Sequence, residues 1–138
     1  MDFFDDQVEQ AVAASANAYI PYSNYPVGAA LLATDGTVFT GCNVENASYP
    51  ATICAERTAL VKAVSEGRRS FKTLVVATRN AGSPCGICRQ MLYEFSPDMQ
   101  VVLVDLAGNI HHEMQLADML PAGFGPSSLD GGPPAPKA

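Results

Sequence analysis

Apolar residues recur at two different spacings in the first third of the chain, and the change separates a helix from strands. From Val8 to Tyr19 they follow a helical period, so residues 5–19 are predicted to form an amphipathic helix. Two apolar runs follow, over residues 27–33 and 38–44, with an Asp-Gly pair between them that is typical of a tight hairpin turn. This region therefore predicts one helix followed by an antiparallel strand pair.

Strand and helix patterns alternate in the rest of the chain, which favours crossover connections and a partly parallel sheet. With the first two strands, the pattern indicates a mixed five-stranded sheet between helices, a three-layer α/β/α sandwich. The further elements predicted are helices over residues 53–66, 84–95 and 116–120 and strands over residues 74–77, 101–106 and 110–114.

Composition divides the chain into one domain and a tail. A chain of 138 residues with 48% hydrophobic residues can bury a single core. We therefore expect one domain over residues 1–125. Residues 126–138 are rich in Gly and Pro, which predicts a flexible tail.

Charge and hydropathy narrow the class of partner. The net charge of −6 argues against nucleic acid, because binding to phosphates relies on Lys and Arg. The basic cluster over residues 62–72 contains Glu66 and no aromatic run, so it is interpreted as a solvated helix end. No apolar stretch is long enough to span a bilayer, and the acidic N-terminus is unlike a signal peptide. A cytoplasmic protein with a small substrate is expected.

Three cysteines and one glutamate have the spacing of a catalytic zinc site. Cys54 lies two residues before Glu56, and Cys85 and Cys88 follow as a Pro-Cys-x-x-Cys motif. Structural zinc sites use four protein ligands, whereas catalytic sites keep one position for water. Three thiolates would leave that position open, and Glu56 would be suited to carry protons to and from the water. Both cysteine motifs are predicted at helix N-termini, which favour thiolates.

Two arginines lie beside these ligands in the sequence. Three thiolates outweigh the charge of Zn²⁺, so the metal would be a weak Lewis acid. Arg57 could donate a hydrogen bond to a ligand sulfur and offset part of this negative charge. Arg89 is a second candidate for the same role.

Other interpretations of the cysteines stay open. Cys85 and Cys88 alone would also be typical of a thioredoxin-like redox protein, although such a protein needs neither Cys54 nor Glu56. A closed structural zinc site would need a fourth ligand. Cys42 is predicted mid-strand as a small buried hydrophobe, and the His111-His112 pair is interpreted as surface.

Several separate blocks of the chain, in order, resemble cytidine deaminases of the short homotetrameric type that acts on free nucleosides. The likeness runs from about residue 18 to residue 124. The blocks are Pro21-Tyr22-Ser23, Val27-Gly28-Ala29-Ala30-Leu31, Gly41-Cys42-Asn43-Val44-Glu45-Asn46, Cys54-Ala55-Glu56-Arg57-Thr58-Ala59, Pro84-Cys85-Gly86-Ile87-Cys88-Arg89-Gln90 and Leu120-Pro121 with Phe124.

The resemblance implies a cytidine-deaminase-like fold and hydrolytic deamination of cytidine and 2′-deoxycytidine to uridine and 2′-deoxyuridine, with ammonia released, in pyrimidine salvage. It implies one Zn²⁺ per chain on Cys54, Cys85 and Cys88, with a zinc-bound hydroxide as the nucleophile. Glu56 would be the proton shuttle. The alternatives are a deaminase of an antibiotic such as blasticidin, or a zinc or redox protein without deaminase activity.

The resemblance also implies the substrate contacts. Asn43 and Glu45 would hydrogen-bond the ribose hydroxyls, and the backbone N–H of Ala55 would meet the pyrimidine carbonyl. The base would pack against Tyr25, where the family usually has Phe. Two further aromatic residues match positions that the family contributes across subunit boundaries, which implies a homotetramer with shared sites; they are Tyr49 and Phe124.

Overall fold

The structure is a computed structural model that describes residues 5–129, and it contains a five-stranded sheet with three α-helices. The strands are β1 Gly28–Ala33, β2 Val38–Cys42, β3 Phe71–Ala77, β4 Gln100–Val104 and β5 Ile110–Gln115. The helices are α1 Asp5–Ser15, α2 Ala55–Ser65 and α3 Gly86–Tyr93, with short 3₁₀ turns at Tyr49–Ala51, Leu116–Met119 and Pro126–Ser128.

The sheet is mixed, as the alternation of elements predicts. Its strand order is β2-β1-β3-β4-β5, and β3 and β4 form its parallel pair. The remaining neighbours are antiparallel. Gly36 closes the β1–β2 hairpin with a φ of +93°, a conformation that glycine adopts without a steric penalty. Helices α2 and α3 flank β3 along the chain, and both begin at the same end of the sheet as the carboxyl end of β3.

Alternate side chains of the strands enter two separate cores, because successive strand residues point to opposite faces. On one face Leu31, Val76 and Leu103 pack with residues of α2 and α3. On the other face Ala30 and Val75 pack against α1. The predicted three-layer α/β/α sandwich is confirmed.

Two glycines allow helices to approach the sheet closely. A Cβ atom on Gly41 of β2 would lie 2.6 Å from both the Ala55 carbonyl oxygen and the Ala59 backbone nitrogen of α2. A Cβ atom on Gly28 would overlap the α1 backbone at Ala11. Because of this close contact at Gly41, the start of α2 lies directly against the sheet. The contact therefore helps to position Cys54 and Glu56, the residues on either side of Ala55.

Several element boundaries differ from the predicted ones. Helix α1 ends at Ser15, four residues earlier than expected, because Tyr19 pairs as a bridge with Val44 instead of continuing the helix. Helix α3 begins at Gly86, and Cys85 rather than Ser83 is its N-cap. Strand β3 begins at Phe71, whose N–H donates to the Ser96 hydroxyl over 2.9 Å.

The predicted tail falls largely outside the described residues. Of residues 126–138, the structure describes a 3₁₀ turn over Pro126–Ser128 and Leu129. The division into a domain and a flexible tail therefore stays a prediction. Within residues 5–129, no helix is long and apolar enough to cross a lipid bilayer.

Candidate active site

The three cysteines of the predicted zinc site converge in the structure. The Cys54 sulfur lies 3.7 Å from that of Cys85, which lies 3.4 Å from that of Cys88. All three sulfurs lie within 4.8 Å of one another. This spacing matches sulfurs that share one metal ion, because Zn–S bonds of about 2.3 Å separate tetrahedral ligands by less than 4 Å.

Helix N-termini explain how residues that are far apart in sequence reach one point. Cys54 is the N-cap of α2 with an extended backbone, at φ −72° and ψ 155°. Cys85 is the N-cap of α3 with φ −68° and ψ 168°. Since Cys54 stands outside the helical turn, it and Glu56 can face the same site although two residues apart would be on opposite sides of a regular helix.

The electrostatics of the three thiols fit a bound cation. A hydrogen bond from Cys88 and another from Arg57 lower the pKa of Cys54 to about 5. The same contact with Cys54, together with burial, raises the pKa of Cys88. A second thiolate is therefore opposed by the first, and a divalent cation among the sulfurs would remove that repulsion. The donor set and its spacing fit Zn²⁺.

Glu56 lies beside the sulfurs, 4% exposed. Burial, followed by the charge of Cys54, raises the pKa of its carboxyl to about 7. Among the described residues, two buried polar side-chain atoms lack a hydrogen-bond partner, and one is Oε1 of Glu56. A carboxyl that titrates near neutral pH and has an unused oxygen is suited to accept and return a proton.

Arg57 donates a hydrogen bond to a sulfur of the cysteine cluster, whereas Arg89 bonds elsewhere. Nη2 of Arg57 donates to the Cys54 sulfur over 3.5 Å and to the Thr52 carbonyl over 3.2 Å. Arg89 donates instead to the carbonyls of Pro84 and Met119 and to the Ser83 hydroxyl. The hypothesis that Arg89 might bond a ligand sulfur is therefore wrong: the helix directs its side chain toward the 3₁₀ turn after β5.

A cavity of about 390 Å³ opens over Cys54, Cys85 and Glu56. Its volume falls within the usual range of small-molecule sites. The lining residues come from the loops before β1, after β2 and after β3, and from the starts of α2 and α3; they are Ser23, Tyr25, Val27, Asn43, Glu45, Thr52, Cys54, Glu56, Val76, Thr78, Gly82, Ser83 and Cys85.

Asn43 and Glu45 line this cavity, and both are also held by backbone groups. Asn43 donates from Nδ2 to the Tyr25 carbonyl over 2.8 Å and accepts from the Val27 N–H over 3.0 Å. Glu45 accepts from the N–H groups of Tyr22 and Ser23 through Oε1. A hydrogen bond from the Ser23 side chain, with smaller contributions from the backbone N–H groups of Tyr22 and Ser23, lowers the pKa of the Glu45 carboxyl. Both side chains are thus oriented before any substrate arrives.

Three further predicted contact residues do not line this cavity. Ala55 is buried as the first residue of α2, where the backbone N–H has no acceptor within the helix. The side chains of Tyr49 and Phe124 are exposed, at 68% and 55%. The Phe124 carbonyl accepts a bond from Gln90 of α3 over 2.8 Å, which ties the C-terminal segment to the helix that carries Cys88.

The cysteine and the two histidines that were predicted to lie outside the site are also described by the structure. Cys42 ends β2 and is half-buried rather than fully buried mid-strand. His111 and His112 are exposed, as expected for surface residues, and His111 pairs with Asp105 over 2.9 Å. Thr52 and Thr78 also line the cavity, although neither was predicted to be a site residue. Thr78 carried a usable signal, because it is a polar residue directly after a buried strand.

A comparison with known proteins decides the family. The model of the cytidine and deoxycytidylate deaminase zinc-binding region matches residues 3–104. The chain belongs to this family.

Individual relatives of the family agree with this. The cytidine deaminase of Sporosarcina psychrophila is 50% identical over 125 residues, which is 88% of this chain and 91% of the relative. A probable cytidine deaminase of Dictyostelium discoideum is 51% identical over 106 residues, 72% of this chain and 71% of the relative. The predicted membership of the cytidine deaminase family is confirmed.

Solved structures of family members have the same fold. The crystal structure of cytidine deaminase from Burkholderia pseudomallei superposes with a TM-score of 0.83 at 45% identity, covering 90% of this chain and 100% of that one. Cytidine deaminase from Mycobacterium tuberculosis superposes with a TM-score of 0.77 at 37% identity, covering 91% and 99%. The predicted cytidine-deaminase-like α/β fold is therefore confirmed. So is the zinc-dependent deaminase class, since the sulfur cluster lies within the region matched by the zinc-binding family model.

Proposed function

We propose that this chain hydrolyses cytidine and 2′-deoxycytidine to uridine and 2′-deoxyuridine, releasing ammonia. The observation that carries the proposal is the buried Glu56 carboxyl, with its unpartnered Oε1, beside three sulfurs at the base of one cavity. The family membership supports the choice of a cytosine nucleoside, because the relatives named above are cytidine deaminases.

Glu56 performs the proton transfers in this proposal. Zinc on Cys54, Cys85 and Cys88 would supply the Lewis acid that makes a water molecule nucleophilic near neutral pH. Glu56 takes a proton from that water and delivers it to ring N3, which makes C4 of the base more electrophilic. Once the water oxygen has bonded to C4, Glu56 takes the second proton from that oxygen and delivers it to the exocyclic amine, so that the C4–N bond breaks and the nitrogen leaves as ammonia. A pKa of about 7 suits both directions of transfer.

The other cavity residues would hold the nucleoside. Asn43 and Glu45 are positioned to hydrogen-bond the ribose, and their backbone contacts reduce the entropy lost on binding. The Tyr25 ring forms one wall for the base, and the Ala55 N–H would meet the pyrimidine carbonyl. Arg57 would withdraw charge from the Cys54 sulfur through its 3.5 Å contact.

A homotetramer with shared sites is the assembly we propose. Tyr19, Val44 and Ile53 are exposed, and isolated bridges join Tyr19 to Val44 and Val44 to Ile53, so these apolar residues are neighbours. Exposed apolar neighbours of this kind would suit a protein interface. Tyr49 and Phe124 lie outside the cavity of their own chain, so each is available to a neighbouring copy.

A reducing, cytoplasmic location is also part of the proposal. All four cysteines are free, and three of them converge without a disulfide. Zinc ligation requires thiolates, which a reducing compartment preserves.

Metal analysis and ammonia release test the reaction together. We expect about one zinc per chain. We also expect the same concentration of chain to release ammonia from both cytidine and 2′-deoxycytidine. Turnover of blasticidin S without turnover of cytidine would assign the antibiotic activity instead. A zinc-loaded protein that releases ammonia from none of the three would leave a structural or redox role.

The assembly is tested by Phe124→Ala, with Leu129→Ala as the matched control because Leu129 is equally exposed, at 58%. Burying the Phe124 ring against a neighbour would contribute about 2 kcal/mol. We therefore expect Phe124→Ala to shift light-scattering mass toward smaller species on dilution and to weaken substrate binding. A fully active monomer at assay concentration would contradict shared sites.

A further inference from the structure

The hydroxyl of Tyr25 joins two sides of the cavity that are distant in sequence. It donates a hydrogen bond to Oδ1 of Asn80 in the loop after β3. The Thr78 hydroxyl donates to the same oxygen over 3.3 Å and accepts from the Gly82 N–H over 2.7 Å. The Arg79 guanidinium lies over the Tyr25 ring at 5.0 Å from its centroid. One phenol is thus tied to successive residues of that loop.

The loop over residues 78–83, which these hydrogen bonds hold, contains an energetically unfavourable backbone conformation. Ala81 has a φ of 54°, and a residue with a Cβ pays an energetic penalty in this left-handed conformation. The loop leads through Ser83 and Pro84 directly to Cys85, the N-cap of α3. The loop is therefore joined directly to the residue that carries one of the three sulfurs.

The fit around Gly82 shows how tightly the phenol is placed. A Cβ atom on Gly82 would lie 2.9 Å from the Tyr25 hydroxyl oxygen, 3.4 Å from Oδ1 of Asn80 and 3.7 Å from the Thr78 hydroxyl. The hydroxyl occupies the space that a larger residue would need. Tyr25, Thr78, Gly82 and Cys85 all line the cavity, so the packing is at its wall.

We propose that the Tyr25 hydroxyl is a positioning group that holds the 78–83 loop, and through it Cys85, at a fixed distance from the 23–27 segment. In this role the ring remains available to the substrate, while the hydroxyl acts through Asn80 and Thr78. The inference adds to the proposed function, which assigns only the ring of Tyr25, and it rests on that function where it concerns zinc and substrate.

The first test is Tyr25→Phe, which removes the hydroxyl and keeps the ring. Tyr93→Phe is the matched control, because the Tyr93 ring packs against Gly123 and does not line the cavity. Loss of one hydrogen bond predicts an increase of about threefold to tenfold in amide hydrogen exchange over residues 78–83 and in the rate of zinc release to a chelator. KM for cytidine should rise more than kcat falls.

These measurements separate the inference from the proposed function. Hydrogen exchange needs neither zinc nor substrate, so it reports on the loop even if the protein deaminates nothing. Equal exchange and equal zinc release in wild type, Tyr25→Phe and Tyr93→Phe overturn the proposal. A raised KM with unchanged exchange also overturns it, because the hydroxyl would then act on the substrate directly.

The second test uses Gly82→Ala in two backgrounds. In the wild type the added methyl group meets the Tyr25 hydroxyl, so we expect zinc release to accelerate by about tenfold or more. In Tyr25→Phe the space is open, and the same substitution should have a markedly smaller effect. An equal effect of Gly82→Ala in both backgrounds overturns the proposal, since the phenol would not be what the loop packs against.

Discussion

Helices α2 and α3 each begin after an N-cap cysteine of the sulfur cluster and carry an arginine among their first four residues, yet the two arginines have different surroundings. At α2, Arg57 donates to the Cys54 sulfur over 3.5 Å, and Glu56 is buried beside it. At α3, Arg89 donates to Ser83, Pro84 and Met119, away from the sulfurs. The start of α2 thus places a buried carboxyl and an arginine beside the sulfurs, whereas the start of α3 contributes two sulfurs and an arginine that is bonded elsewhere.

The difference lies in what each helix packs against. The close contact at Gly41 presses α2 onto the sheet, so the residues after Cys54 point into the cavity or the core. Arg89 of α3 reaches the 3₁₀ turn over Leu116–Met119, and its side chain follows the carbonyl groups there. An arginine near the start of a helix therefore contacts a sulfur in one case and not in the other, because tertiary neighbours supply the hydrogen-bond partners.

The largest effect is expected at Glu56, the residue that most distinguishes the two helix starts. Glu56→Gln should keep about one zinc per chain and lose about three or more orders of magnitude in turnover, because the group that moves both protons is gone. Zinc content and ammonia release are measured together. Glu66→Gln, at the exposed end of the same helix, is the control. Near wild-type turnover by zinc-loaded Glu56→Gln would show that Glu56 does not transfer the protons, and the start of α2 would lose the role that distinguishes it from the start of α3.

A second effect concerns pH and stability in the chelated, reduced protein. Burial raises the pKa of Glu56 to about 7 from 4.5, so the native state holds this proton more tightly than the unfolded state. As the pH rises from about 4.5 to about 7, the stability of the wild type should therefore fall relative to that of Glu56→Gln. Above about pH 7 the gap, which is the difference between their free energies of unfolding, should stay constant. The gap should reach at most about 3 kcal/mol.

Urea unfolding of both proteins across this pH range measures the gap. A gap that does not change with pH would mean that the Glu56 carboxyl is not protonated preferentially in the native state.

A smaller effect is expected for Arg57→Gln. The Cys54 sulfur loses a hydrogen bond from a cation, so the site becomes more negative and its water less acidic. We expect activity to fall by about tenfold to a hundredfold, zinc content to fall less, and the pH midpoint of activity to rise. An unchanged pH profile with unchanged turnover would make Arg57 equivalent to Arg89.

The smallest effect is expected for Arg89→Ala, and it should appear in stability. Loss of its three hydrogen bonds should lower the free energy of unfolding by about 1–2 kcal/mol, with little change in kcat of the folded enzyme. Arg69→Ala is the control, because Arg69 is an exposed arginine in the segment between α2 and β3 and donates one hydrogen bond, to the Val64 carbonyl. A fall in kcat as large as that of Arg57→Gln would erase the contrast between the two arginines.

The elements of the fold were largely predictable, and the errors have local causes. The five strands and three helices follow from apolar spacing and turn residues. Helix α1 was predicted too long because residues 16–18 suit a helix, and only the bridge between Tyr19 and Val44 shows why the helix ends. The start of α3 was misplaced because Ser83 and Pro84 are good capping residues, while the chain uses Cys85.

The candidate site was predictable to a different degree at each residue. Cysteine spacing indicated the three ligands, and Glu56 followed from its place beside one of them. The partners of Tyr25 were not predictable, because Asn80 lies 55 positions away and its loop conformation depends on β3 and α3. The direction of Arg89 was not predictable for the same reason.

The sequence by itself determined which residue types are present, their order and their local preferences. Those preferences specify strands, helices, caps and a set of thiols that suits zinc. Tertiary structure decided which side chains meet: Glu56 became buried with a raised pKa, Arg57 met a sulfur, and Arg89 did not. The physical reason is that sequence patterns reflect interactions between residues a few positions apart. Burial, hydrogen-bond partners and pKa shifts depend instead on atoms that the sheet brings together from distant parts of the chain.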